Sequence, residues 1–555
     1  MPLKEDVIAD VRKFLLLLFG GTTFLLLVAY ANTASLSLVR AEHRHHEMAV
    51  RIALGARPTD LMRLFLTEAA MLSTAGVALG LLLAHLALKA IVVFTPVRLP
   101  RLSEVGLDSR VFAFACSLAV LGALVFAGIA FLRQSAPAST AAAVLKGSTR
   151  ITDDGKRLRM RSVLVAVQVA LALALLAGSG LMVQSFWRLS RVDPGFDPSG
   201  VLTVEIGLPT SRAGRHQQIY EELIDRVRAL PGVRTASAAS SLPLDGTAYA
   251  FPIAIGAEPT ERPIAMKFVM PEYFQTMRTP VIDGASFASD ETVDLPNAVF
   301  VSAAFARRYF PGESPIGKSI RRLEADGKEV EMFDRPVPAW TIVGVVADVR
   351  EESLRSEPKE MVYIPVRDPA VERSIVPTNM ALVIRSDGPP TSLASAVRRT
   401  IREVDSSLSV ARIRPMDVIL ATSVAIERFL AALLLVAAAA SLLLGAIGVY
   451  GVATQAVRRR EQEFGIRVTI GARPDQIMGM VLRESVAFVL VGVVVGIASA
   501  LAATRALRAF LFEVSATDPA TLAAVTALVI AVALIASLLP ARRAMRLDPV
   551  ATLRN

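Results

Sequence analysis

Cysteine occurs once in the chain, as Cys116 inside an apolar segment. An intramolecular disulfide is therefore excluded, and one thiol cannot build a thiolate metal site. Histidine is almost as scarce. Of five residues, His43, His45 and His46 share one short basic stretch with Arg44 and Glu47. That stretch reads as a basic loop and not as a metal centre or pH sensor, since Arg459 and Arg460 stand in for His43 and Arg44 where the pattern recurs. Charge is sparse too, at 20% of residues against 53% hydrophobic, with a mean hydropathy of +0.50. A soluble protein this apolar would aggregate, so the composition points to a multi-span membrane protein. The formal charge of +10 does not point to nucleic acid, because the basic residues cluster in loops beside apolar runs, where membrane orientation needs them.

Those runs are long. A helix needs roughly 20 apolar residues to cross a hydrocarbon core of about 30 Å. Seven segments qualify: Phe14–Leu38, Ala69–Phe94, Val111–Leu132, Val163–Ser185, Leu430–Tyr450, Ser485–Phe510 and Thr521–Leu539. The first is too long for a signal peptide, lacks a small-residue cleavage site and is followed by a basic loop. Clusters of Lys and Arg follow the first, third, fifth and seventh spans. They alternate correctly for one face, the cytoplasm. The N-terminus is then expected outside and the C-terminus inside. His85 and Lys89 lie within an apolar run; Lys89 sits near its outer end and can snorkel to the interface.

One polar pattern occurs twice. Arg44, Glu47, Val50, Arg51, Gly55-Ala56-Arg57-Pro58, Met62, Leu66 and Glu68 match Arg460, Glu463, Ile466, Arg467, Gly471-Ala472-Arg473-Pro474, Met478, Leu482 and Glu484 without a gap. An ungapped match through a polar loop is evidence of internal duplication. Both copies lie between apolar spans. Gly76 with Gly80 and Gly492 with Gly496 repeat at the same offset, and this spacing predicts close helix packing in both copies.

Between the spans, about Trp187 to Val424 is the sizeable polar region, expected outside the cytoplasm. Strand Val201–Leu208, helix Gln217–Leu230 and strand Val233–Ala239 form one unit, with Pro231-Gly232 stopping the helix. Met380–Arg385, Leu393–Val404 and Leu408–Arg414 form a second. Two such units bracketing the region predict a ferredoxin-like subdomain built from both ends. The middle, Phe251–Pro365, reads as a β-rich insertion with strands at Ala298–Val301, Ile342–Val346 and Met361–Ile364. Within it Gly312-Glu313-Ser314-Pro315-Ile316-Gly317-Lys318-Ser319 fits the phosphate-loop pattern. Such a loop must follow a buried strand and open a helix. Here a helical run, Ala303–Phe310, precedes it and an alternating run follows, so it reads as a turn. No catalytic, cofactor or metal constellation emerges, and an enzyme is the least favoured class.

Glu463-Phe464-Gly465-Ile466-Arg467, Gly471-Ala472 and the tail Leu539-Pro540-Ala541-Arg542-Arg543-Ala544 through Asp548-Pro549-Val550 together resemble the FtsX-like permeases of ABC transporters, and most closely the MacB-like type. Asp193-Pro194-Gly195-Phe196, Arg308-Tyr309-Phe310-Pro311-Gly312 and Val343-Gly344-Val345-Val346 with Asp348-Val349-Arg350 resemble that family's periplasmic core domain. The duplication looks like the branch of orphan permeases with two modules in one chain.

The resemblance implies a polytopic α-helical membrane protein of about seven spans with one extracytoplasmic α/β domain. Its parts would be an outer-domain remnant (1–13), a first three-span module (14–147), a cytoplasmic linker (148–162), the leading span of the second module (163–186), the periplasmic core domain (187–425) and a second three-span module (426–555). The first module would be truncated, lacking its outer domain and leading span, and its loop departs from the pattern at Met48-Ala49. The resemblance further implies a non-enzymatic permease subunit of the bacterial inner membrane. It would export a substrate, powered by a separate cytoplasmic ABC ATPase. Surrounding lipid and a periplasmic or outer-membrane protein are the other expected partners, and nucleic acid is not one. The expected ATPase-docking residues are Arg460, Glu463, Ile466, Arg467, Gly471 and Ala472, with Arg44, Glu47, Arg51, Gly55 and Ala56 in the first copy. Their charges would pair across the contact. A mechanotransmitting regulator of an envelope enzyme, without transport, is the alternative, and a membrane receptor stands third.

Overall fold

The computed structural model describes residues 16, 18–35, 47, 50–51, 54–94, 106, 108–134, 154–209, 215–245, 249–256, 258–285, 297–324, 331–332, 335–336, 339–366, 377–459, 463–464, 466–467, 470 and 473–544. Its contacts divide the chain into two compact units, Met1–Trp187 with Glu427–Asn555, and Arg188–Ile426.

The helical unit contains α1 (Leu18–Ser35), α2 (Pro58–Phe94), α3 (Ser109–Gln134) and α4 (Asp154–Leu189, which runs up to the outer unit). After the outer unit, whose two longest helices are α5 (His216–Arg228) and α6 (Ala394–Val404), come α7 (Ala425–Arg459), α8 (Pro474–Leu507) and α9 (Pro519–Ala544). Among the described residues six helices are long and apolar enough to cross a membrane: α1, α2, α4, α7, α8 and α9. The seventh expected span falls on α3, whose described apolar stretch is the shorter Ser109–Leu124. The helices α2 and α8 begin well before their apolar runs, because each starts at a capped proline at the end of the repeated loop. Proline suits the first helical turn, where its missing N–H is not needed.

The central helix of this unit is α4. Its apolar window is 72% buried, against a third or less for every other span. Val165, Val169 and Leu173 of α4 pack with Val489, Val493 and Ala500 of α8 and Val525, Val529 and Ala533 of α9. Glycine permits that approach. A Cβ on Gly492 would lie 2.8 Å from the Ala166 carbonyl oxygen and 2.8 Å from Val169 Cβ, and one on Gly496 would lie 3.0 Å from Ala170 Cα. In the first copy the expectation fails. Gly76 and Gly80 are exposed, and among the described residues nothing lies within 4 Å of a Cβ built on either. The physical reason is the neighbour: α4 covers α8, and no described helix takes that place on α2.

The first copy packs elsewhere. Leu61 and Phe65 of α2 bury against Ala127 of α3, and the Tyr30 hydroxyl of α1 donates to the Leu118 carbonyl of α3 at 2.9 Å. Between copies, Gly21 of α1 admits Leu434 of α7, at 3.1 Å from its Cβ position. Gly448 of α7 gives room to the Gln168 side chain, which a Cβ there would meet at 2.2 Å, with Asn32 Oδ1 at 3.7 Å. Gln168 and Asn32 are buried and carry unbonded amide atoms.

The outer unit is a mixed sheet. Its labelled strands are β1 (Val201–Gly207), β2 (Val233–Ala239), β3 (Ile264–Val269), β4 (Ala298–Ser302), β5 (Trp340–Val346), β6 (Met361–Pro365), β7 (Asn379–Ser386) and β8 (Ser409–Pro415). The order β8-β1-β7-β2 is antiparallel throughout. With α5 and α6 as the two crossovers, this is the ferredoxin-like arrangement expected from the two end units. Tyr220, Leu223 and Val227 of α5 and Val397 and Ile401 of α6 share one core with the sheet. The sheet then continues into the middle region through Ala239 against Val269, with β3 parallel to β6 and β4 parallel to β5. The phosphate-loop look-alike follows a helix, Ala303–Tyr309, and leads into a strand, Ser319–Arg322. Its Gly312 and Gly317 have positive φ, and the Gly317 amide donates to the Ile342 carbonyl. It is a turn.

Two polar knots stiffen this unit. At the first, Gly195 has φ +83° and sits where a Cβ would be 2.0 Å from the Asp348 carbonyl oxygen. The Arg350 amide donates to the Pro194 carbonyl, so the two motifs Asp193–Phe196 and Asp348–Arg350 meet. Arg385, 4% exposed, donates to the carbonyls of Asp197, Ser199 and Thr276, and Asp197 also pairs with Arg278 at 2.7 Å. Burial pushes the Asp197 carboxyl up. Ser199, Arg385 and Arg278 together outweigh that and hold it below the usual range. The second knot is the buried pair Lys267–Glu351 at 2.5 Å. Burial lowers the Lys267 pKa against the opposing pull of Glu351.

Candidate docking surface

The repeated loops fold alike. In the first copy the Leu54 amide donates to the Val50 carbonyl at 2.9 Å; in the second the Ile470 amide donates to the Ile466 carbonyl at 3.1 Å. Each of these bonds spans four residues, as in one turn of α-helix. Gly55 then takes φ +93°, and the Ala56 amide donates to the Arg51 carbonyl. A left-handed residue of this kind ends a helix, and glycine adopts it without steric cost. A cap follows. The Arg57 amide donates to Asp60 Oδ2 at 3.1 Å, and the equivalent Arg473 amide donates to Gln476 Oε1 at 3.3 Å. In the first copy Gly55-Ala56-Arg57-Pro58 is a helix stop joined to a helix start.

On the short helical turn, Glu47, Val50, Arg51 and Leu54 stand at i, i+3, i+4 and i+7, as do Glu463, Ile466, Arg467 and Ile470. That spacing puts each set on one helical face. Glu47 pairs with Arg51 at 2.7 Å and Glu463 with Arg467 at 2.6 Å. Arg467 also approaches Met480 Sδ at 3.1 Å. The charges expected to pair outward are thus paired along their own helix in both copies. Exposed i,i+4 pairs are worth about 0.3–0.5 kcal/mol, so they stiffen the turn only slightly. The apolar members face solvent. Val50 is 41% exposed and Leu54 83%; Ile466 is 48% exposed and Ile470 81%. The opposite side anchors the turn: Phe464, 1% exposed, buries with Val457 of α7, Ile477 and Val481 of α8 and Ala541 of α9.

Of the expected docking residues, Glu47, Arg51, Glu463, Ile466 and Arg467 share these faces, while Gly55 and Ala56 form the turn behind one of them. Arg44, Arg460, Gly471 and Ala472 lie outside the described residues, as do His43, His45 and His46. Val50, Leu54 and Ile470 were not among the expected site residues. Their signal was in the sequence: an apolar residue four positions after Val50 and Ile466, in both copies.

The model of the FtsX-like permease C-terminal domain matches residues 19–140 and again 435–549. The MacB-like periplasmic core domain model matches residues 162–402. The chain belongs to the FtsX-like permeases with a MacB-like periplasmic core. Curated relatives include the pyoverdine export ATP-binding/permease protein PvdT of Pseudomonas putida, 27% identical over 279 residues, which are 50% of this chain and 40% of the relative. The macrolide export ATP-binding/permease protein MacB of an Azoarcus species is 26% identical over 400 residues, 70% of this chain and 56% of the relative. The chain thus spans about half the length of these relatives. The crystal structure of the periplasmic region of MacB from Actinobacillus actinomycetemcomitans aligns over 42% of this chain and 97% of its own, at 14% identity and a TM-score of 0.30. Two FtsX-like domains in one permease chain account for the duplicated loop.

Proposed function

We propose that this permease takes its energy from a separate cytoplasmic ABC ATPase and uses it to move the periplasmic core domain, exporting a substrate across the envelope from the bacterial inner membrane. The observation that carries the reading is the duplicated docking face: two helical turns with the same ion pair and the same exposed apolar pair. An ATPase that works as a pair of subunits needs two such surfaces. Because the charges are satisfied within each turn, the affinity of the contact comes from Ile466 with Ile470 and Val50 with Leu54. These residues gain by leaving water. The Glu–Arg pairs then set orientation and partner choice. Phe464 ties the turn to the ends of α7, α8 and α9, so a push on the turn reaches all three helices as a rigid-body displacement. A periplasmic or outer-membrane protein would receive the substrate on the far side.

The test is ATP hydrolysis by candidate ATPases in the presence of the reconstituted chain. Charge reversal at Arg467 (Arg467→Glu) should abolish stimulation and an acidic apolar-tip variant (Ile470→Asp) should reduce it, while insertion remains normal. Normal stimulation in both would rule out the docking face.

A further inference from the structure

The helices α1, α4 and α7 meet at one polar point. Gln168 of α4 is fully buried, and neither its Oε1 nor its Nε2 has a hydrogen-bond partner among the described residues. Asn32 of α1 is 6% exposed, and its Oδ1 is likewise unpartnered. Both side chains reach Gly448 of α7. A Cβ built on Gly448 would lie 2.2 Å from Gln168 Oε1 and 3.7 Å from Asn32 Oδ1, so the two amide oxygens stand within about 6 Å of each other. Asn32 and Gly448 are the same position of the internal repeat, at the offset that relates Glu47 to Glu463. The first copy supplies a side-chain amide there and the second supplies the space. The helix α4 brings the other amide between them. Gln168 lies six residues inside the apolar stretch of α4 that begins at Ser162, about 9 Å along the helix. Hydrocarbon offers such groups no solvent, and a bare buried amide is costly.

We propose that Gln168 and Asn32 bind an internal water molecule that joins the two modules. Two acceptors that face one space need a donor between them. Water carries two protons, one for each oxygen, and bridges acceptors up to about 6 Å apart, twice an ordinary hydrogen-bond length. The amides do not bond to each other directly: Gln168 Nε2, a donor, and Asn32 Oδ1, an acceptor, are both unpartnered. Buried waters take this role where several polar groups converge on one site. A contact made through water holds α1 to α4 without fixing one side-chain geometry, so the two helices can shift while the bridge persists. The inference does not depend on the ATPase reading.

The test uses the full chain in lipid nanodiscs. A cryo-electron microscopy map of the native chain, at a resolution that shows ordered waters, should hold density between Gln168 Oε1 and Asn32 Oδ1. No density there, or the two amides bonded directly, would overturn the proposal. Thermal unfolding of variants asks the same question independently. Gln168→Leu and Asn32→Leu should each lower Tm by a few degrees, and the double variant should lose less than the sum, because one bridge is lost once. Amides without a ligand would behave in the opposite way. Leucine would then remove an unsatisfied polar group and raise Tm, and that result would overturn the proposal, as would losses that simply add. Should the variants fail to fold, the map of the native chain decides.

Discussion

The helices α2 and α8 carry the same Gly-x-x-x-Gly-x-x-x-Ala stripe, enter from the same capped loop and end in opposite surroundings. One is locked against α4 at 2.8–3.0 Å; the other has its glycines exposed. Small-residue spacing therefore specifies a capacity for close packing. Whether it is used depends on what stands opposite. The loops that precede these helices teach the converse. There the two copies agree in ion pair, cap and exposed apolar face.

The largest expected asymmetry comes from filling the glycines. Gly492→Ile or Gly496→Ile would drive a side chain into α4 backbone, at a cost of about 3 kcal/mol or more. We expect loss of monodisperse protein or a fall in Tm of about 10 °C. The same changes at Gly76 and Gly80 should leave the Tm of the purified chain within about 2 °C. Equal effects in both copies would erase the distinction.

Next is the anchor. Phe464→Ala should cost about 3 kcal/mol locally, read as faster amide hydrogen exchange in the first turns of α8, around Ile477 and Val481. The homologous turns of α2, around Leu61 and Phe65, should be unchanged.

A third effect separates the outer unit from the helical one. Asp197 has its pKa lowered from the ordinary carboxyl value of 3.8. Its stabilisation is therefore fully present above that value and is lost as pH falls through the lower folded-state value. Asp197→Asn should destabilise the outer unit by about 1–2 kcal/mol at pH 7, and the gap from the native chain should close below about pH 3.8. The fluorescence of buried Trp340, isolated by Trp187→Phe, reports it.

Smallest in stability are the docking tips. Ile470→Asp and Leu54→Asp should each change stability by less than about 0.5 kcal/mol, because both side chains are more than four-fifths exposed.

Much of this was legible in the sequence. Apolar runs located the spans, since length alone fixes a crossing. Period-two and period-3.6 patterns found the two strand–helix–strand units, and the ungapped repeat found the docking loops. Other features depend on long-range contacts that no local pattern encodes. Helix starts at Pro58 and Pro474 lie well before the apolar runs, since a cap and not hydrophobicity sets them. The inward pairing of Arg467 with Glu463 follows i,i+4 geometry that an outward-looking reading passed over. The bare face at Gly76 could not be read from residues identical to a packed one. The meeting of Gly195 with Asp348 joins positions far apart in sequence, and only the fold brings them into contact.

The central claim is that the two loops are one docking device used twice. The most direct measurement is ATP hydrolysis by a co-purifying cytoplasmic ATPase, in vesicles, with the native chain and with Ile470→Asp, Leu54→Asp and both together. The account predicts stimulation by the native chain, reduced by each single change and abolished by the double one, with the protein equally well inserted. Stimulation untouched by all three variants would contradict it.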